Sequence, residues 1–67
     1  MRIDAIGRSC PEPVIMLKKA LSGKPDALEI AVDNAAARGN CTRFAQNAGY
    51  LVSEAQEGAA WVLKLEK

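Results

Sequence analysis

Two stretches of the chain, residues 27–32 and 61–66, alternate apolar side chains with polar or small ones, and this alternation restricts the fold more than any other feature. The apolar positions are Leu28, Ile30 and Val32 in the first stretch and Trp61, Leu63 and Leu65 in the second. A period of two is that of a β-strand with one apolar face. Each strand therefore needs a second layer of structure to cover that face.

Two other segments have helical periodicity, residues 11–22 before the first of these strands and residues 35–48 after it. Their apolar residues recur at helical intervals, at Val14, Leu17 and Leu21 in the first segment and at Ala37, Cys41, Phe44, Ala45 and Ala48 in the second. Gly23 and Gly49 are placed to end the two helices, and Asp33-Asn34 offers an N-cap for the second. We therefore predict two amphipathic helices.

Two weaker strand patterns complete the chain. Residues 2–6 place Ile3 and Ala5 on one face, whereas residues 50–56 have no clean apolar face but precede a plausible hairpin turn at Glu57-Gly58. The order is strand, helix, strand, helix, strand, strand, in a single domain of 67 residues, 1–67. This order predicts an α/β (α+β) two-layer sandwich, with two helices on one face of a four-stranded mixed sheet. It leaves the order of the strands in the sheet open.

Composition excludes several classes of function. Nine Lys and Arg against eight Asp and Glu leave a net charge of +1, which gives no general attraction to nucleic acid or to anionic membranes. With no histidine and two cysteines, the chain has neither a Cys-His nucleophile pair nor the ligands of a four-ligand zinc site. The sequence contains no signal-peptide pattern and no run long enough to span a bilayer. We expect a cytoplasmic protein that uses no metal or cofactor and binds no nucleic acid directly.

Cys10 is the principal candidate for chemistry. It precedes Pro11 at the predicted start of the first helix and so occupies the N-cap, where the helix dipole favours a thiolate. Pro11 and Pro13 stiffen this helix entry but lack N–H groups. Arg8 favours the thiolate and Glu12 opposes it, and the sequence does not decide the balance. These polar neighbours argue against the alternative, an inert buried cysteine.

Other residues have simpler alternative interpretations. Asp4 either contacts the loop that carries Cys10 or is solvated on an outer strand face, and Gly7 can supply a positive φ in that loop. Cys41 lies in the apolar stripe of the second helix and is a core residue unless it serves Cys10 as a resolving thiol. Three lysines form either a docking surface for an acidic partner or RNA, or a solvated face: Lys18, Lys19 and Lys24.

The run from Ile3 to Val14, with Asp-Ala-x-Gly before Cys-Pro-x-Pro, resembles the TusA/SirA/YedF family of small sulfur-carrier proteins. The resemblance covers essentially the whole chain. From the Val-Asp-Asn step at residues 32–34 to Gly49, the sequence is similar to the YedF-like branch, which is often associated with selenium metabolism and frequently fused to a second domain. No second domain is present in these 67 residues, so the chain is either a stand-alone carrier or an excised module.

The resemblance implies that Cys10 accepts a sulfane sulfur, carries it as a persulfide and passes it to a downstream acceptor protein, in tRNA thiolation or in other sulfur or selenium metabolism. The implied donor is a cysteine desulfurase or another persulfide source, and the protein would be a stoichiometric carrier rather than a self-contained enzyme. Asp4 and Gly7 would support the loop, and Pro11 and Pro13 would hold the helix entry. Two other hypotheses stay open: a regulatory or protein-interaction module without sulfur transfer, and a redox sensor that pairs the two cysteines.

Overall fold

Four strands and two helices make up the computed structural model, which describes residues 2–8 and 12–67. The elements are β1 (Arg2–Asp4), α1 (Glu12–Leu21), β2 (Ala27–Val32), α2 (Ala35–Asn47), β3 (Leu51–Glu57) and β4 (Ala60–Glu66). This is the predicted order of elements, and both helices pack on the same face of a four-stranded sheet. The predicted two-layer sandwich is confirmed.

The strands lie in the order β1-β2-β4-β3, which the sequence left open. β1 pairs with β2 in parallel, with Ile3 opposite Ile30, while β4 runs antiparallel to both β2 and β3. The sheet is therefore mixed, as predicted. β2 and β4, whose apolar alternation is cleanest, are the two central strands. The two strands with weaker patterns, β1 and β3, form the edges.

The core lies between the helices and one face of the sheet. Leu17 of α1, Cys41 of α2, Ile30 of β2 and Leu63 of β4 are all at 0% exposure. Full burial of a side chain the size of leucine stabilises the folded state by about 1.5–3 kcal/mol. Because each of the two helices and both central strands contribute to one cluster, the helical stripes and strand alternation identified in the sequence act together as a single core.

The ends of the helices agree with the sequence at α2 and differ at α1. Asn34 caps α2 by accepting a hydrogen bond from the Ala37 N–H at 2.7 Å, and Gly49 follows the helix with a φ of 93°. After α1, the residue with a left-handed backbone is Lys24, with a φ of 52°, and not Gly23. The turn falls one residue later than expected because backbone hydrogen bonds back to α1 continue the helical winding through residue 23.

Three smaller differences concern element boundaries. β1 ends at Asp4, two residues earlier than predicted. The two hairpin residues are Gly58 and Ala59, so Glu57 belongs to β3 and not to the turn. Ala48, predicted to lie in the apolar stripe of the second helix, is exposed because α2 ends before it.

The face of the sheet away from the helices is shielded at its centre. Ala31 and Val62 lie opposite each other on this face, yet they are only 5% and 2% exposed. Arg2 of β1 and Glu57 of β3 form an ion pair with a nitrogen–oxygen distance of 3.4 Å. Together with Asp4 they border an open concavity of about 450 Å³ over these two small side chains. The predicted partly exposed face is therefore polar mainly along its border.

Candidate functional site

The loop after β1 is a tight turn stabilised by its own strand. The Asp4 carboxylate accepts a hydrogen bond from the Ile6 N–H at 3.0 Å, and the Ala5 carbonyl accepts one from the Arg8 N–H at 3.2 Å. Gly7 has a φ of 80°, which confirms its predicted positive φ. Asp4 therefore contacts the loop and is also exposed on the outer face of its strand, so the two alternatives for this residue hold together.

The same loop is also held by the two residues that follow β2. A carboxylate oxygen of Asp33 accepts a hydrogen bond from the Gly7 N–H at 3.0 Å, and the Asn34 side-chain amide donates to the Arg8 carbonyl at 3.4 Å. Because β1 and β2 are parallel, their carboxyl ends meet at one edge of the sheet, where α/β folds usually hold their sites. The loop is therefore tied to the start of α2.

Arg8 and Glu12 stand on either side of residues 9–11. Their side chains form an ion pair, with Arg8 Nη1 3.7 Å from Glu12 Oε2, and both are more than half exposed. A pair this exposed contributes at most about 1 kcal/mol to stability. The sequence predicts that Arg8 favours the Cys10 thiolate and that Glu12 opposes it. These two charges are thus paired with each other. Beyond them, Pro13 is buried in the first turn of α1.

Cys10 and Pro11 lie outside the described residues, as does the N-cap predicted at Cys10. The structure places the other five predicted site residues on the two sides of this short segment: Asp4, Gly7, Arg8, Glu12 and Pro13. Four of them belong to the loop after β1 or to the adjoining ion pair, and the fifth anchors α1 in the core. The structure thus brings together the described residues that the sequence assigned to one site.

Exposed apolar side chains border the loop and the first turns of α1. Ile6 is 44% exposed and Ile15 is 46% exposed, two of the three large apolar side chains found exposed in the described part of the chain. Arg8, Glu12, Ile15 and Met16 line an open concavity of about 370 Å³. We call the five residues Ile6, Arg8, Glu12, Ile15 and Met16 the cysteine rim. Ile15 and Met16 are the apolar residues of this concavity, whereas Ile6 lines the separate concavity over the uncovered face of the sheet.

Sequence reasoning missed three contributions to this region. Asp33 and Asn34 were predicted only as a helix cap, yet they also hold the loop. The available signal was their position directly after a strand expected to pair in parallel with β1. Ile15 was assigned no role, although it is a large apolar residue off the apolar stripe of the helix that follows Cys10.

The remaining candidates lie elsewhere. Cys41 is fully buried in α2, which confirms its predicted place in the core. Lys18 and Lys19 are exposed in the last turn of α1, and Lys24 is exposed in the following loop. Within residues 2–8 and 12–67, no three His, Cys, Asp or Glu side chains are grouped as metal ligands. In the same part of the chain, neither helix is long and apolar enough to cross a bilayer.

Comparison with known proteins decides the family. The family model described as sulfurtransferase TusA matches residues 1–67. The chain belongs to the TusA family. A "putative sulfur carrier protein" of Methanocaldococcus jannaschii is 41% identical over 58 residues, which cover 84% of this chain and 77% of that protein. The crystal structure of a SirA-like protein from Desulfitobacterium hafniense matches with a TM-score of 0.86 at 31% identity, covering 96% of this chain and 92% of the other.

The resemblance drawn from the sequence is therefore confirmed for the TusA/SirA family and for its fold. Membership of the YedF-like branch stays a prediction. So do the organisation of residues 1–67 as a single domain, the cytoplasmic location and the roles of individual site residues.

Proposed function

We propose that this TusA-family chain is a sulfur carrier that loads sulfane sulfur on Cys10. The observation that supports this most is the loop before Cys10, which Asp4, Asp33 and Asn34 hold by hydrogen bonds at the carboxyl end of two parallel strands. Membership of a family described as sulfurtransferases supports the same role. So does the relative in M. jannaschii whose name describes a sulfur carrier.

Loading is a thiol exchange with no net redox change. The Cys10 thiolate attacks the terminal sulfur of a donor persulfide, the S–S bond of the donor breaks, and the donor cysteine leaves as a thiolate. An acceptor thiolate then attacks the terminal sulfur on Cys10, and Cys10 leaves as a thiolate in turn. Once the thiol is ionised, neither step needs a general base, which agrees with a chain that contains no histidine. Each turnover moves one sulfur atom, so the protein acts as a stoichiometric carrier and not as a self-contained enzyme.

The residues beside Cys10 act by position. Asp4 and Gly7 shape the turn before it, where the hydrogen bond to the Ile6 N–H and the positive φ are found. Pro11 and Pro13 restrict the backbone after it, because each proline ring fixes its own φ. A loop that is already ordered loses less conformational entropy when a partner's active-site cysteine approaches.

The cysteine rim is the surface on which we expect the sulfur donor and the sulfur acceptor to dock. Cys10 is two residues along the chain from Arg8 and from Glu12, so we expect a partner that reaches its sulfur to contact the rim as well. Ile6 and Ile15 provide exposed apolar area, and the Arg8–Glu12 pair provides one charge of each sign. We expect the donor to be a cysteine desulfurase or another persulfide source. The acceptor would be a downstream protein of tRNA thiolation or of other sulfur or selenium metabolism.

A regulatory or protein-interaction module without sulfur transfer is the alternative. It would use the uncovered face of the sheet together with the lysines of α1 and of the loop after it. These two surfaces lie on opposite sides of the sheet, because α1 packs on the face that the core occupies. An interface that used both would have to extend around an edge of the sheet, whereas the loop contacts lie directly beside the segment that contains Cys10.

Intact mass spectrometry tests the carrier function. Incubation of the full chain with a cysteine desulfurase and cysteine should add the mass of one sulfur atom, and dithiothreitol should remove it. We expect Cys10→Ser to abolish the gain and Cys41→Ala to retain it, because Cys41 is fully buried in α2.

Two outcomes would contradict the proposal: no gain with any of several desulfurases, or a gain that persists in Cys10→Ser. If the regulatory alternative were correct, Cys10→Ser would bind its partner as well as the unaltered chain does and no sulfur would be loaded on either protein.

A further inference from the structure

β3 is a seven-residue edge strand in a continuous register with its single neighbour in the described sheet. Leu51–Glu57 pairs residue for residue with Glu66–Ala60 of β4, without a bulge. Alternate N–H and C=O groups of such a strand point away from the sheet and can pair with another chain. The opposite edge, β1, has only three residues. β3 is therefore the edge suited to accept a further strand.

The side chains of β3 do little to protect this edge. Six of its seven residues are exposed, Val52 being the exception, and Leu51 is 75% exposed. Natural edge strands are commonly protected by charged side chains, above all lysine, or by proline; β3 contains no lysine or proline, and both of its carboxylates are already paired with arginines. Its two charges are Glu54 and Glu57, and Glu54 is paired with Arg38 of α2 at 3.2 Å.

We propose that β3 pairs antiparallel with β3 of a second copy of this chain, about a two-fold axis through Ser53. The two sheets then form one eight-stranded sheet with all four helices on the same face. Leu51, the most exposed of the large apolar side chains described, lies opposite Ala55 of the second copy. This inference goes beyond sulfur transfer and does not depend on it.

Charge and the position of Leu51 favour this register over those centred on Glu54 and on Ala55. A pairing centred on Glu54 would set two carboxylates directly opposite each other, which is destabilising. A pairing centred on Ala55 would leave Leu51 of each copy beyond the end of the paired segment, opposite the hairpin turn. A pairing centred on Ser53 avoids both problems: each Glu54 then faces Val52 of the other copy, and each Leu51 faces Ala55.

The proposed dimer leaves the cysteine rim accessible. β1, which leads into the Cys10 loop, and β3 are opposite edges of the sheet, separated by β2 and β4. Three strand spacings place these edges about 14 Å apart. Each copy can therefore present its own Cys10 to a partner while the β3 edges are joined.

Disulfide cross-linking tests the register. With Cys10→Ser as background, Ser53→Cys should form a cross-linked dimer on mild oxidation, because residues on the two-fold axis of an antiparallel pair have Cα atoms about 4.5–5.5 Å apart. Ala55→Cys is the matched control on the same strand face. In the proposed register its two copies are offset by four residues, about 13 Å, and should not cross-link.

Sedimentation equilibrium tests the association without any added cysteine. The full chain should approach twice its monomer mass as concentration rises. Ser53→Asp should weaken the dimer by about fivefold or more, because two carboxylates would then face each other across the axis. Within one chain the new carboxylate faces Lys64, so the fold should tolerate it. Ser53→Thr, which adds no charge, should still dimerise.

A chain that stays monomeric up to about 1 mM, together with no cross-link at position 53, would overturn the proposal. Efficient cross-linking through Ala55→Cys, or a dimer that Ser53→Asp leaves unchanged, would overturn the register and the interface.

Discussion

Asn34 takes part in two interactions that the fold requires. Its side-chain carbonyl caps α2 through the Ala37 N–H at 2.7 Å, and its amide donates to the Arg8 carbonyl at 3.4 Å. Loss of such a cap costs about 1 kcal/mol. A substitution of Asn34 would therefore weaken α2 and the loop together. Asp33, which contacts the loop through the Gly7 N–H, allows the loop to be tested more selectively.

At the residue scale we predict that Asp33→Ala slows sulfur loading of Cys10 by roughly threefold to tenfold, because one hydrogen bond is worth about 1 kcal/mol. The Gly7 amide should exchange with solvent faster in this variant, since its acceptor is removed. Asp33→Asn keeps an acceptor oxygen and should recover most of the rate. Asp26→Ala, which removes an exposed carboxylate elsewhere, is the control. Faster exchange of the Gly7 amide with an unchanged loading rate would show that the hydrogen bond from the Gly7 N–H to Asp33 does not affect sulfur transfer.

Single residues were predictable from sequence when their role was local. Gly7 and Gly49 follow from the backbone conformation that a turn or a helix end requires, and both have positive φ. The contact from Asp33 to Gly7 joins positions 26 residues apart, so it depends on the parallel pairing of β1 and β2. Lys24 has a φ that glycine usually takes, and no local rule favours it over the adjacent Gly23.

At the scale of elements, α1 has two faces that differ in burial. Pro13, Leu17 and Leu21 are buried against the sheet, while Ile15 is exposed beside the loop. The periodicity of the sequence identified the buried face, because burial leaves a repeating apolar pattern. An exposed apolar residue leaves no comparable period, and Ile15 became interpretable only when it was found to line a concavity with Arg8 and Glu12.

We predict that Ile15→Glu raises the dissociation constant for the sulfur donor at least about tenfold, as expected when an apolar anchor in an interface is replaced by a charge. The fold should be retained, because Ile15 is already 46% exposed. Leu51→Glu is the matched control, since it makes the same type of change at an exposed apolar residue on the far edge of the sheet. The measurement is binding of the desulfurase that loads Cys10. Equal loss of binding in both variants would contradict docking at the cysteine rim.

The strands illustrate how burial controls what a sequence can predict. β2 and β4 are central, so one face of each is packed and the alternation is clear. β3 is an edge strand with Val52 as its partly buried residue, and its sequence carries little alternation. The lack of a clear apolar alternation in the sequence of β3 and its exposure in the fold therefore have the same cause, which is its position at the edge of the sheet. The strand order follows from contacts between distant segments, which no local pattern contains.

At the scale of the whole molecule, charge is distributed unevenly between the two sides. The helix side of the molecule carries Arg8, Lys18, Lys19, Lys24, Arg38 and Arg43 against Glu12, Asp26, Asp33 and Glu54, the last paired with Arg38 of α2. The uncovered face of the sheet carries Asp4, Glu29, Glu57 and Glu66 against Arg2 and Lys64. The net charge of +1 conceals this separation. A partner that docks beside α1 therefore meets a basic surface, and an acidic partner is the one that this surface attracts.

We predict that association with an acidic sulfur donor becomes slower as salt is added, by roughly tenfold between low and high ionic strength, because screening removes the long-range attraction. The double variant Lys18→Glu with Lys19→Glu should slow association at low salt and lose most of this salt dependence. Lys64→Gln removes one positive charge on the uncovered face of the sheet, and Lys18→Gln removes one on α1, so comparing these two single variants separates local attraction from a net-charge effect. Stopped-flow association rates at several salt concentrations provide the measurement. If Lys18→Gln and Lys64→Gln slow association equally, net charge and not the basic side of the molecule guides the partner; if no lysine variant slows association, charge does not guide the partner.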